Sequence, residues 1–522
     1  MTREKVSIIL FLCLFVIGAF VFDDYGMSMD EELQRHHGIV TYRWLNRKLF
    51  DRGVFVDEGT EDLEHYNGGK YGVAMQLPLV FVEDVYQVIH HEPMSFRSIY
   101  LMRHAYLHCV FLIGLYCFYC LLCNLYDKPL LSAVGVLMIY VFGRLFADSF
   151  YNIKDLMFVS LSMVNLLFGE RVLRSGRSRK WCILYAISTA FLVSSRIVGA
   201  IYPLLLIVIM AADDIIHKNK LKIEPYLIIC SSYFIWLAIT PASWFDPIGY
   251  SFGTAKKFSN YTPKGKILFG GISYSSRSLP ADYYLRWIAI SVPIVFLLFS
   301  IIGLFFFSKQ LFSKKNSSAE DTIQLELLCQ ALGIFAITIL YPMIKHSTVY
   351  NGWRHVYFLY PLIILMAVKG IFELLNKAAH KWQRTLVITL LTSSILYNGV
   401  MNVLNHPFEF MAFNPIGLVI GNNYDKDYWE AGAYNLMEWV ADQVDSKVSI
   451  GDMNIVRHNI VADYNFLPDE KQSKVYIPTV DTDYLIFRNS QTRRIPPDID
   501  GYTNIRTVYA YNMLIYAVYQ KN

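Results

Sequence analysis

The chain has 522 residues, 54% of them hydrophobic and 17% charged, where a soluble domain carries about 25% charged residues. A mean hydropathy of +0.33 and many apolar runs near the roughly 20 residues that cross a bilayer predict a polytopic α-helical membrane protein. The net charge of +4 is small and concentrates in short loops, which argues against nucleic-acid binding and gives the charge a topological use.

In chain order, the basic leader MTREK precedes the apolar run SIILFLCLFVIGAFVF, residues 7–22. No small-residue cleavage site follows and ten more apolar segments do, so an uncleaved first helix is expected rather than a signal peptide. About eleven spans are predicted, near 6–22, 99–123, 129–146, 156–170, 181–195, 197–212, 224–241, 285–307, 325–344, 355–375 and 385–403. Lys and Arg cluster in every second loop (171–180, 217–222, 308–315 and 376–384), which assigns those loops and the N-terminus to the cytoplasm. The other loops fall on the opposite, extracytoplasmic side: a long first loop (23–98), a short one at 146–155, one from Pro241 to Pro280, the turn 345–355, and the C-terminal tail. All eight cysteines lie in apolar segments, so no disulfide framework is implied; Cys117, Cys120 and Cys123 read as one face of a helix.

The tail differs in kind. Residues 427–444 carry apolar residues near helical spacing, while KVSIGDMN, DTDYLIFRN and NIRTVYAYNMLIYAVYQ are rich in β-branched and aromatic residues and read as strands. The expected organisation is a transmembrane domain over 1–404 and a small extracytoplasmic α/β domain over 405–522, without a nucleophile motif or a phosphate-binding glycine loop.

A transporter places its ionisable residues near the membrane midplane. Here they gather at the extracytoplasmic ends of the predicted helices. The stretch FDDYGMSMDEELQRHHG (22–38) holds five carboxylates. Ser28 and Glu31 match the capping box S-x-x-E, which assigns Glu31 a reach back to the Ser28 N–H. Asp30 then stands near the positive end of a helix dipole, free to face a cavity in the carboxylate form that a general base needs. Asp23, Asp24 and Glu32 read as interfacial or solvated charge. Arg103 and His104 sit early in the second span, Tyr151, Asn152, Lys154 and Asp155 at the start of the fourth, Arg196 between the fifth and sixth, Arg354 and His355 at the start of the tenth. The four cations are of the type that binds a phosphate at headgroup level. His36 and His37 are candidates to line an acceptor site, and a metal there is the lesser reading because adjacent histidines diverge on a helix. The segment from Tyr71 to Tyr86 reads as amphipathic and interfacial.

These residues, with YGMSMDEELQRHHG, FADSFYNIKDLMF, SSRIVGA, YNGWRHVYFLYP and FNPIGLVIGNNYDKDYWEAGAYNLMEWV, resemble the GT-C superfamily of integral-membrane glycosyltransferases. More narrowly the chain looks like glycosyltransferase family 39, the protein O-mannosyltransferases and the aminoarabinose transferases of lipid A. The likeness runs along nearly the whole chain through the order of the set, with Asp30-Glu31 matching the Asp-Glu pair of the first external loop and Asp155 the acidic site of the second. It departs at Glu32, where a proline or small residue is usual. The resemblance implies an inverting transfer of a sugar from a polyprenyl-phosphate donor to a hydroxyl on a glycan, lipid or protein, at the bacterial inner membrane. It implies Asp30 as catalytic base beside Glu31, and Lys154, Arg103, Arg196 and Arg354 on the donor phosphate. It also implies Asn152, Asp155, His104, His355 and Tyr151 lining the site. A monophosphate leaving group needs no obligatory metal, a divalent ion at Asp155 being the lesser alternative. The rivals are a lipid-linked saccharide flippase, and a polysaccharide polymerase or ligase resting on Lys256, Lys257, Lys264, Lys266 and Arg277 of the basic, aromatic loop 241–280.

Overall fold

A computed structural model describes residues 2–50, 61–218, 220–259, 266–312, 318–478 and 482–522. Lys264, parts of the basic loops 217–222 and 308–315, and the first residue of DTDYLIFRN lie outside them. Among the described residues eight helices are long and apolar enough to cross a membrane: Arg3–Val21, Phe96–Tyr126, Asp155–Arg174, Ile197–Ile216, Ile294–Leu311, Ala319–Lys345, Leu359–Lys377 and Lys381–Asn405. The other three expected spans are helical but irregular. Residues 129–146 fall on Pro129–Tyr140 and Gly143–Tyr151, bent by 70° and able to count as a ninth span. Residues 181–195 form Arg179–Ser195, of 17 residues, and 224–241 break at Ser231 into Ile223–Cys230 and Ser232–Ala238. The segment 285–307 also divides, because Pro293 offers no N–H to continue Tyr283–Ser291 into Ile294–Leu311.

The spans Ile294–Leu311 and Leu359–Lys377 pack closely because two glycines face each other. A Cβ on Gly303 would fall 1.8 Å from Met366 O, and one on Gly370 would fall 2.2 Å from Phe299 O; small residues are what let membrane helices approach this far. Large apolar side chains such as Phe20, Leu204, Phe305, Ile344 and Val403 point outward, as a lipid-facing surface requires. Lys369, buried within its span, gives its ammonium protons to Gln310 Oε1 (3.0 Å), Gln324 Oε1 (2.8 Å) and Glu373 Oε1 (2.7 Å). It is a closed structural pin.

The first loop folds back on the bundle as the helices Glu31–Phe50 and Leu77–His90. The latter is amphipathic, with Leu79, Val80 and Glu83 buried and Phe81, Val82, Val88 and Ile89 exposed. Gly72 fixes how close this loop comes, since a Cβ there would meet Ser194 O at 1.5 Å. The loop 241–280 contributes the helix Pro247–Ser259 and a hairpin of β1 (Lys266–Phe269) and β2 (Ile272–Ser275). That hairpin is tied to the tail, where Gly271 N–H donates to Asn423 O (2.8 Å) and Asp425 N–H to Leu268 O (2.9 Å).

The C-terminal domain is a five-stranded mixed sheet in the order β4-β3-β5-β7-β6. β3 (Val448–Met453) runs parallel to β4 (Val475–Tyr476) and β5 (Tyr484–Arg488), while β7 (Met513–Lys521) is antiparallel to β5 and to β6 (Tyr502–Ala510). Helix Ala433–Gln443 packs on β5, and helix Arg457–Phe466 packs on that helix and on Phe96–Tyr126. β7 is buried along most of its length, as expected of a central strand lacking polar alternation. Arg97 joins the domain to the bundle through Tyr434 OH (3.1 Å) and Phe466 O (2.9 Å).

Candidate active site

Where the irregular helix ends meet, they enclose a cavity of about 950 Å³. One arm is apolar, lined by Val193, Ile197, Val198, Ile201, Trp236 and Ile337 from the membrane helices. The other is polar and reaches the C-terminal domain at Asp425, Lys426, Asp427, Glu430 and Arg488. Asp30, Lys154, Arg196, Arg354 and His355, all singled out in the sequence, lie along its wall.

Asp30 immediately precedes the helix Glu31–Phe50, and its carbonyl accepts from Gln34 N–H at 2.9 Å. Its carboxylate is 31% exposed and stands 3.6 Å from Arg354 Nη1. Glu31, one residue on, is buried. It accepts from Ser28 N–H at 2.7 Å and lies 3.0 Å from His104 Nε2. Half of the expected capping box therefore forms. The other half does not: Glu31 N–H donates to the Ser28 carbonyl at 3.1 Å, and the Ser28 hydroxyl turns to donate to Tyr151 O at 3.1 Å. Glu31 is not among the cavity-lining residues; its place is structural.

The turn between Gly143–Tyr151 and Asp155–Arg174 repeats this division. Asn152 Oδ1 accepts from Asp155 N–H at 3.0 Å, while its amide donates to Asp148 (2.8 Å) and Asp155 (3.2 Å). Asp155 is buried and bridges Arg354 Nη1, at 3.0 Å, and Arg196 Nη2. One carboxylate thus serves two guanidiniums, and Arg354 extends onward to Asp30 and over the Trp429 ring at 4.3 Å. Both arginines keep an Nε that has no partner among the described residues.

Lys154 leans over the Tyr71 ring, 4.2 Å from its centroid, and Lys257 shares that ring at 4.6 Å. Neither ammonium has a carboxylate within ion-pair distance among the described residues. Burial, reinforced by Arg196, Arg354 and Lys257 against Asp30, pushes Lys154 down to about 7, and burial with Lys70 lowers Lys257. Tyr71 is also stacked on His37 at 4.8 Å. Burial and the neighbouring Lys154 drive His37 down to about 3, leaving a neutral ring that packs rather than pairs. His355, against Tyr350 at 4.5 Å, is held well below its usual range by burial and by the same cations.

Several expected site residues are placed elsewhere. Arg103 does not reach the cavity: its guanidinium donates to Glu83 Oε1 (2.6 Å) and Gln76 Oε1 (2.9 Å), supplied by the first-loop fold. His104 is buried on Glu31, and Tyr151 is buried between Tyr25 and Trp429. Asn152 and Asp155 support the wall from behind rather than lining it. His36 turns to Glu61 (2.7 Å) and His37 to Tyr66, so neither lines the cavity. Asp24 is more than interfacial charge, since with Glu409 it holds both nitrogens of His406, at 2.9 and 2.6 Å.

No family model matches the sequence, and no curated protein matches it. Solved structures do. The chain is similar to ArnT from Cupriavidus metallidurans in the apo state, with 12% identity and a TM-score of 0.47 over 99% of this chain and 98% of that one. ArnT from the same organism bound to undecaprenyl phosphate gives 10% identity and a TM-score of 0.45 over 98% and 97%. The Archaeoglobus fulgidus oligosaccharyltransferase, in complex with Zn and sulfate, gives 9% and 0.44 over 91% of this chain and 68% of that one. At these identities and TM-scores no residue role is taken from the likeness.

Among the described residues no group of three or more His, Cys, Asp or Glu is placed to hold a metal ion. The charged cavity residues that the sequence did not single out as a site are Lys70, Asp425, Lys426, Asp427, Glu430 and Arg488. Their signal was faint: alternating charges and aromatics in NNYDKDYWE, just past the last apolar segment.

Proposed function

We propose that the protein is a glycosyltransferase that moves a sugar from a polyprenyl-phosphate donor to a hydroxyl acceptor on the extracytoplasmic side of the membrane. The observation that carries this is the continuity of one cavity from an apolar arm within the membrane helices, past a group of cations, to the partly exposed carboxylate of Asp30. An isoprenoid chain fits the apolar arm. Lys154, which lines the cavity without a carboxylate partner among the described residues, suits the donor phosphate, with Lys70 on the same wall and Lys257 behind Tyr71 adding to the positive field. Arg196 and Arg354, held by Asp155 at the cavity wall, add positive charge to the same region, Arg354 also reaching Asp30.

In the reaction the acceptor oxygen attacks the anomeric carbon as the bond from that carbon to the phosphate oxygen breaks. The hydroxyl proton passes to Asp30, and the electron pair of the broken bond leaves on the polyprenyl phosphate. A single displacement inverts the anomeric configuration. Cations fixed before the reaction stabilise the charge that gathers on the phosphate, worth a few kcal/mol in comparable sites. Lys154 is the mobile contributor, because the arginines are braced by Asp155. A flippase needs a charge-lined path across the membrane; the buried Lys369 is instead closed on its own partners.

The test is in vitro transfer from a panel of polyprenyl-phosphate sugars, comparing wild type with Asp30→Asn. The expected loss is about 10²–10⁴-fold in kcat, as for removal of a general base. Equal activity in the two removes Asp30 from the mechanism.

A further inference from the structure

The tail-side arm of the cavity has a chemistry unlike that of its cation-lined wall. The segment 425–430 is held from several sides. Glu430, in the left-handed region at φ 59°, accepts from Val456 N–H (2.8 Å) and Asn459 (2.6 Å) and pairs with Arg488 at 3.0 Å. Asp427 Oδ2 accepts from Tyr516 OH (2.7 Å) and Gly432 N–H (3.1 Å), and Arg488 also donates to Asp427 O at 2.6 Å. A strained, buried backbone turn persists only where its surroundings determine it this fully. What the turn presents to the cavity is a mixed set. Asp425 uses one carboxylate oxygen on Leu268 N–H, at 2.9 Å. The Lys426 ammonium, on Gln491 O, has further protons to give. Asp427 is 2% exposed and its Oδ1 has no partner among the described residues. Beside them stand the rings of Tyr428 and Tyr350.

We infer that this arm, built by Asp425, Lys426, Asp427 and Tyr428 of the C-terminal domain, is a carbohydrate-binding subsite that grips the hydroxyls and the ring face of a sugar. The reasoning is complementarity. A sugar hydroxyl both donates and accepts, so it matches a carboxylate oxygen beside an ammonium. The C–H face of the ring matches an aromatic plane. Both come preorganised, so little is lost in ordering them. A phosphate would instead meet the carboxylates of Asp425 and Asp427 and be repelled. An apolar chain would leave their oxygens buried without partners, at about 1–3 kcal/mol each. The inference rests on the transferase reading for its location and takes the C-terminal domain from cover to substrate-recognising half of the site. Two sugars meet in such a reaction, that of the donor and that of a glycan acceptor, and this chemistry suits either.

The experiment reads binding without turnover. Full-length protein in nanodiscs is presented with a panel of methyl glycosides (glucoside, galactoside, mannoside and N-acetylglucosaminide), and saturation transfer to the sugar protons is measured by NMR. Wild type is expected to saturate at least one member, and Asp425→Ser and Lys426→Gln to bind it about tenfold or more weakly, the size expected for one lost hydrogen bond to a charged group. Retained binding of undecaprenyl phosphate shows that the variants are folded. Displacement by undecaprenyl phosphate carrying the same sugar, but not by the bare lipid, assigns the subsite to the donor; displacement by neither assigns it to the acceptor. No saturation in wild type, or the same saturation in both variants, overturns the subsite and leaves Asp30 standing. Equal transfer by wild type and Asp30→Asn overturns the base and leaves the subsite standing.

Discussion

Two helix starts face each other across the cavity, and each sorts a pair of adjacent charged residues in the same way. At the start of Glu31–Phe50, Asp30 looks into the cavity and Glu31 is buried on Ser28 and His104. At the start of Asp155–Arg174, Lys154 looks into the cavity and Asp155 is buried under Arg196 and Arg354. Neighbours on a helix point about 100° apart, so one of each pair faces the ligand space and the other faces protein. The difference lies in the partners. Glu31 anchors a single loop, while Asp155 holds two guanidiniums that also form the wall. The second start is therefore the more costly to disturb, and the free residue there is a cation.

The largest expected structural effect comes from Asp155→Asn. It leaves Arg196 without its carboxylate and Arg354 with only the more distant Asp30, at a cost of about 3–5 kcal/mol, seen as a lowered thermal unfolding temperature together with lost transfer. Stability equal to wild type would show that Asp155 is not the brace. Glu31→Gln should cost less, about 1–3 kcal/mol, and lower kcat only as far as Asp30 shifts. A Glu31→Gln loss of transfer as large as that of Asp30→Asn, at unchanged unfolding temperature, would erase the proposed division between the two.

A third test uses pH. Lys154 titrates near 7 in the unliganded protein, and phosphate binding requires its cationic form. Undecaprenyl phosphate affinity should thus fall as pH rises from 7 to 9, by up to about tenfold per unit. In Lys154→Arg, which stays charged throughout, the profile should flatten. Identical profiles would place the titrating group elsewhere.

The smallest effect concerns the junction with the C-terminal domain. Burial lowers His406, but hydrogen bonds to Glu409 and Asp24 outweigh it and raise the imidazole to about 9. A folded-state value above the unfolded one means that the stabilisation is full below about 6.5 and is lost as pH rises through about 9. His406→Gln should therefore lower the unfolding temperature more at pH 6 than at pH 9.5. A gap that does not narrow would mean that the imidazole acts by packing alone.

Much of this was legible in the chain. Apolar length alone marked the spans, and the capping pattern S-x-x-E correctly gave Glu31 a structural task, because both signals are local. Arg103 was not legible. As a lone cation at a helix end it read as a phosphate ligand, and only the return of Leu77–His90 supplies the Glu83 that claims it. Lys70 was hidden, and Lys257 was read only for a rival function, for the converse reason. They lie 187 residues apart in the sequence, and it is the shared proximity to Tyr71 and Lys154 that makes them one group.

The sequence by itself determined that the chain carries helices long and apolar enough to cross a membrane, that its tail folds as an α/β unit, and that Glu31 reaches back to the Ser28 N–H. These follow from hydropathy, strand and helix periodicity, and the reach of side chains three residues apart. Only the tertiary structure decided which cations converge and that the C-terminal domain forms part of the cavity wall. Convergence is a property of distances between remote segments: Arg196 and Arg354, 158 residues apart, meet because a single buried carboxylate lies between them.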